Sequence, residues 1–294
     1  MSNSAGPLES IDSIDWSELE HAYGTAEDVP QLLRDLHSSD PEIRETAHDD
    51  CWSMIFHQGT RYSASAAAVP FLYSILNHPD TKSRRNLLFL IVSLAVGYTE
   101  HVLPKGIDVA EWEEHIENQD DEEMQEHMMH EFETYEAVEE GLPNILRYLE
   151  EEEPQIRIMA AYALAFFPRR SDTSVTALFE RLGREINSSV RGTIVLAIAV
   201  LYARVDNGTR KKDIIQKLQR SYAATKDDEL FGWSCALSLV ILGATEADII
   251  EKARRALNDE VYLTQLEGSI DPDAGFTFGM PELRDLAKAV LESS

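Results

Sequence analysis

Apolar residues recur every three or four positions in short runs, and each run is followed at a fixed distance by the same polar signature. Leu32, Leu33 and Leu36 form one run; Leu72, Ile75 and Leu76 a second; Ile145, Leu146 and Leu149 a third. This is the spacing of one face of a helix. Pro30, Pro70 and Pro143 head the runs, and Asp40-Pro41-x-x-Arg44, Asp80-x-x-x-Arg84 and Glu153-Pro154-x-x-Arg157 follow them. In all three the acid lies 10 positions after the proline and the arginine 14. A fourth copy keeps Asn187 and Arg191 but has no proline. Behind each arginine comes a stretch that is apolar on nearly every side: Leu87–Val96, Ile158–Phe167 and Thr193–Ala203. A helix with such a surface must be surrounded by protein.

The repeated unit therefore reads as two helices. The prolines are expected to interrupt and bend the first helix, since a mid-helix proline removes a hydrogen bond. An acid followed by proline starts the second, with the acid as N-cap and the proline at the first helical position. Each arginine is expected within i,i+4 reach of its cap. No period-2 alternation appears, so the fold class is all-α. The anchors fall at Asp40, Asp80, Glu153, Asn187 and, more faintly, Asp227, in steps of 40, 73, 34 and 40. A two-helix repeat takes ~40 residues, so the long step leaves about 35 extra. They correspond to residues 105–140, an insertion or a repeat that has lost its signature.

Two-helix units with a proline in the first helix and D-P-x-x-R opening the second resemble HEAT repeats. Phe56-His-Gln-Gly-Thr-Arg-Tyr62 with the Ala-rich Ala64–Pro70 is similar to uncharacterised microbial HEAT-repeat proteins. The resemblance implies a right-handed alpha-alpha superhelix, a HEAT/armadillo-like solenoid of about five to six helical pairs with an acidic helical insertion. Residues 13–294 are expected to form one array and residues 1–12 a disordered tail. Such a solenoid implies a binding surface, without naming an activity. The iron-binding deoxyhypusine hydroxylases of this class carry repeated His-Glu pairs, and here only His130-Glu131 matches.

Charge narrows the partners. The net charge is −27, and Asp108–Glu153 alone holds 19 acidic residues and one basic, Arg147. Such a field opposes direct nucleic-acid binding, which depends on Lys and Arg against phosphate, and it repels anionic membranes. No apolar run approaches the ~20 residues of a membrane span. Cys51 and Cys235 lie in apolar helix patterns and read as buried free thiols of a reducing compartment, cytoplasm or nucleoplasm.

The candidate chemistry is sparse. From Met124 to Val138 apolar residues at spacings of three and four alternate with acids, which predicts an amphipathic helix. The expected partner-binding residues of this segment are Glu111, Trp112, Glu113, Glu114, Glu117, Asp120, Asp121, Glu122 and Glu123, facing a basic protein. Trp52 and the polar loop containing His57, Arg61 and Tyr62 are further contact candidates. Trp233 reads as core. Phe276 and Phe278, in a turn-rich stretch, read as a plug at the end of the array. His127 and His130, i,i+3 on one helix, are the place where a metal-dependent enzyme would have to begin. No nucleophile motif, phosphate loop or dinucleotide fingerprint occurs, and no cofactor is expected. The function expected is a non-catalytic interaction module: adaptor, scaffold or inhibitor. The alternatives are a metal enzyme on the His127/His130 helix and a structural subunit of a larger assembly.

Overall fold

A computed structural model describes residues 8–205, 208–225, 227–272, 275 and 278–293. Among them are fifteen α-helices and one pair of two-residue strands, β1 (Glu20–His21) and β2 (Gly24–Thr25). The fold is all-helical. Among the described residues no helix is long and apolar enough to cross a membrane. The chain's contacts divide into two compact units, Met1–Tyr98 with Ala110–Asn144, and Thr99–Val109 with Ile145–Ser294.

The first unit holds α1 (Val29–Leu36), α2 (Pro41–Met54), α3 (Ser63–Asn77), α4 (Arg84–Val96), α5 (Val109–Glu117, from Ala110 on) and α6 (Glu122–Glu140). α1 packs on α2 and α3, α3 on α4, and α6 on both α3 and α4. The α3–α6 contact is keyed by a missing side chain. The Tyr73 ring occupies the space a Cβ at Gly141 would need, 1.9 Å from that position, and the Tyr73 hydroxyl donates to the Val138 carbonyl at 2.8 Å. Residues 8–12, expected in a tail, pack instead: Ile11 is buried and its carbonyl accepts from Trp16 Nε1 at 2.9 Å. Residues 1–7 of that tail lie outside the described residues.

α7 (Leu142–Leu146) carries the chain onward. The second unit contains a 3-10 turn at Arg147–Glu150, then α8 (Pro154–Leu164), α9 (Ser171–Leu182), α10 (Ser188–Leu201), α11 (Thr209–Ala223), α12 (Glu229–Ile241), α13 (Ala247–Asn258), α14 (Glu260–Gly268) and α15 (Leu283–Glu292). α10 lies between α8 and α12, and twelve of its fourteen residues are buried. Hydroxyls inside these helices bond back to their own backbone: Thr193 to Ser189, Ser234 to Leu230, Ser238 to Ser234. The flanking helices bury a stripe only, as Ile249, Ala253 and Ala256 of α13 do. Trp233 is buried and donates to the Ala253 carbonyl. Phe278 is buried with its edge against Tyr162, at 5.3 Å between centroids; Phe276 lies outside the described residues. Both cysteines are buried free thiols, and burial pushes each well above its ordinary range.

The repeat anchors differ from expectation in three ways. Pro30 and Pro143 are second residues of α1 and α7, where the missing N–H has no helical partner to lose; only Pro70 lies inside a helix. Asp40, Glu153 and Asn187 hold the N-cap positions, but α4 is headed by Ser83, with Asp80 left in the turn, and the fifth cap is Asp228 rather than Asp227. The arginines do not reach their caps. They turn back onto carbonyls just beyond the first helix: Arg44 Nη1 to Ser38 at 2.8 Å, Arg84 Nη2 to His78 at 2.9 Å, Arg157 Nη1 to Glu151 at 2.8 Å. The partner is six residues upstream each time. Arg191 departs from this, pairing with Asp228 at 2.8 Å and lying 3.7 Å over the Phe231 ring.

Arg157 makes a second set of bonds. Its Nε and Nη2 hold Glu185 at 2.8 and 3.1 Å; Glu185 also accepts from Arg181 and from the backbone of Ile186 and Asn187. Burial pushes the Glu185 carboxyl up, but the bonds from Arg157, Asn187 and Arg181 outweigh it and hold the group at about 2, against an ordinary 4.5. A carboxylate depressed in the folded state stabilises above its unfolded value and loses that contribution as pH falls. Glu185→Gln and Arg157→Ala should each destabilise the protein at neutral pH by about 3–5 kcal/mol, the cost of stranding one partner of a buried pair. For Glu185→Gln the gap to wild type should close as pH falls from 4.5 towards 2. Chemical denaturation across that range checks this; a gap independent of pH would remove Glu185 from the role.

Candidate functional site

The two stretches that sequence marks for contact, the 57–62 loop and the acidic segment, meet in the first unit. The loop is a tight turn. His57 and Thr60 exchange backbone hydrogen bonds at 3.1 and 2.9 Å across Gln58 (φ 53°) and Gly59 (φ 91°). Two successive positive φ values define the two-residue turn that matches strand twist. Gly59 is needed a second time, because the Tyr98 ring lies 3.0 Å from where its Cβ would stand.

The next residue is the link. Arg61 is buried and its Nη1 lies 3.1 Å from Glu131 Oε1 on α6, while also donating to the Gly59 carbonyl. Burial raises Glu131 against the pull of Arg61 and His127, and burial lowers Arg61. Tyr62 meets the His127 ring edge-on at 6.4 Å. Arg61 is therefore an interior brace between loop and helix, not a contact residue. Burial commits its guanidinium to Glu131.

Trp112 is likewise turned inward. It packs against Phe132 and Tyr135 of α6 at 5.3 and 5.5 Å, and Gln125 Nε2 donates to the Ile116 carbonyl at 2.9 Å. These contacts hold α5 against α6. Glu111, Glu113, Glu114, Glu117, Asp120, Asp121, Glu122 and Glu123 are all exposed on the outer side of this pair and its connecting turn. Asp121 also caps α6, accepting from the Met124 amide.

On the second helices an aromatic patch forms around Trp52, which is half-buried. Its ring lies 4.9 Å from Phe56 and 5.4 Å from Phe89 of α4, and Phe56 meets Tyr98 at 5.8 Å. Phe89 and Tyr98 are each 42% exposed. His57 lies 5.6 Å from the exposed Tyr23. Phe89, Tyr98 and Tyr23 carry no signal of their own in the sequence, and Glu131 is marked there only as the neighbour of His130, not as a partner of Arg61. Phe89 stands in a run apolar at almost every position, so only packing reveals that it faces out.

His127 and His130 do not converge. His127 lies 4.0 Å from Glu131, whereas His130 lies 3.4 Å from Glu133 and 3.9 Å from Glu126. Among the described residues no three His, Cys, Asp or Glu side chains are grouped so as to hold a metal ion. The arrangement the metal-enzyme alternative requires is not formed on this helix.

Comparison with known protein families, curated proteins and solved structures finds no match to this chain.

The Arg61–Glu131 pair gives a prediction. Arg61→Met alone should cost about 1–3 kcal/mol, because half-buried Glu131 is left without its guanidinium partner, whereas Arg61→Met with Glu131→Leu should recover most of the loss. Denaturant titrations of the single and double variants measure the coupling; strictly additive losses would mean that the pair does not join loop to helix.

Proposed function

We propose that this chain is a non-catalytic interaction module: one right-handed HEAT-like array of helix pairs that captures a basic protein partner through the acidic α5–α6 face, with Trp52, His57 and Tyr62 at the adjoining contact surface. The observation that carries the reading is the set of eight exposed carboxylates, Glu111 to Glu123, on a helix pair braced from behind. An acidic segment is ordinarily a solvated face. Here Trp112 on Phe132 and Tyr135, Arg61 on Glu131 and Tyr73 over Gly141 fix that face to the unit. A rigid charged surface fixes geometry for a partner before contact and speeds encounter. The patch of Trp52, Phe89 and Tyr98 supplies the large aromatic area on which interface energy concentrates.

Changing all eight acids to Asn or Gln should leave the melting temperature near wild type and weaken partner capture, most at low ionic strength, where screening is least. Immobilised full-length protein and the eight-site variant, exposed to one native extract, should differ in the basic proteins they retain. Equal retention by both, at low and high salt, would remove the acidic face from the reading.

A further inference from the structure

The second helix of the first pair is unlike the others. Of its fourteen residues α2 buries only Ala47 and Cys51, against nine in α4, nine in α8 and eleven in α12. Beside it runs a groove of about 540 Å³ between α1 and α2. Its apolar lining is Leu32 from α1 and Ile43, Ala47 and Met54 from α2. Ile43 is 45% exposed, one of the few large apolar side chains so open to water. The polar lining includes Asp28, Asp35, Glu42 and Asp50 and no basic residue. Asp28 is engaged by His21 at 3.0 Å and Asp35 by the Gln31 amide at 2.8 Å. Among the described residues no cation lies within ion-pair distance of Glu42 or Asp50.

The spacing matches a helix in a groove. Ile43, Ala47, Asp50 and Met54 recur at i, i+4, i+7 and i+11, and Asp28, Leu32 and Asp35 at i, i+4 and i+7. The lining therefore runs along one face of α2 and along α1 with its N-cap Asp28, an elongated apolar and acidic trough of the kind in which an amphipathic helix is laid. We infer that the α1–α2 groove binds a cationic amphipathic helix of a protein partner, its apolar side on Ile43 and Met54 over a floor of buried Leu32 and Ala47, and its Lys or Arg side chains on Glu42 and Asp50. This rests on the interaction reading above and gives the partner's chemistry. A second copy of this chain is disfavoured as occupant. Among the described residues its most basic amphipathic helix, α11, already buries Ile214 and Leu218 and packs on α12, and α13 likewise buries Ile249, Ala253 and Ala256.

The test uses full-length protein and fluorescent synthetic helices of about the length of α2. One probe carries leucines at i, i+3, i+4 and i+7 with lysines elsewhere, a second replaces lysine by glutamate, and a third is all lysine. The leucine–lysine helix should bind, and the other two should bind at least about tenfold more weakly. Ile43→Asp and Asp50→Lys should each weaken its binding about tenfold, with far-UV circular dichroism melts unchanged. Loss in these variants but not in the eight-site α5–α6 variant keeps the groove as the site of this helix, and the α5–α6 face is then judged by the capture experiment alone. Loss only in the eight-site variant overturns the groove and keeps the acidic face. Wild type that ignores the leucine–lysine helix, binds all-lysine equally well, or self-associates in a way Ile43→Asp disperses, also overturns the proposal.

Discussion

Three turns of this chain present carbonyls with no helical partner, and at each an arginine from the following helix answers them. Arg44, Arg84 and Arg157 each reach back six residues to the turn just closed. The guanidinium suits this task because it presents several donors in one plane, and because a cation is favoured at a helix C-terminus. The constraint fixes more than the turn. It sets where the second helix leaves the first, and so which face of that helix meets its neighbours. At Arg157 the remaining donors extend the tie to Glu185 and thereby to the start of α10, the most buried helix of the second unit.

The first unit shows how a heavily acidic helix is held against an apolar body. α6 contributes Tyr135 and Val138 to the core, accepts the Tyr73 hydroxyl at its end, and takes Arg61 into its flank at Glu131. Repulsion among its outer carboxylates has to be overcome by these inward contacts, none of which involves the exposed acids. Structure and charge are thus assigned to opposite sides of one helix. The outer side can change without disturbing the inner.

Much of the architecture was legible in the sequence, for a physical reason: periodicity is a local property. The apolar runs at 87–96, 158–167 and 193–203 coincide with α4, α8 and α10, and Asp40, Glu153 and Asn187 head helices as the acid–proline and Asn signals imply. What failed was whatever depends on a distant neighbour. Pro143 looked interior, yet α6 ends at Glu140 and Pro143 is the second residue of α7, just past the glycine against which the Tyr73 ring, far away in sequence, packs. Arg61 reads as a contact residue because polar side chains in loops often are, and only the neighbouring α6 shows that it is buried; α6 also covers one side of the half-buried Trp112. The acids of the α1–α2 groove looked like ordinary helix surface, since their common lining appears only when the two helices are side by side.

The arginine locks have one further property. Each closes a loop of six residues, so none depends on how far away in sequence the next helix pair begins. None of them is therefore touched by the length of chain that separates one from the next, and between Arg84 and Arg157 the protein carries α5 and α6. Loop-closure entropy grows only slowly with length, so a long span between two clasps costs little more than a short one. A fold assembled from short-range clasps is open to growth at its seams, and a new surface can be spliced in while the old framework keeps its shape.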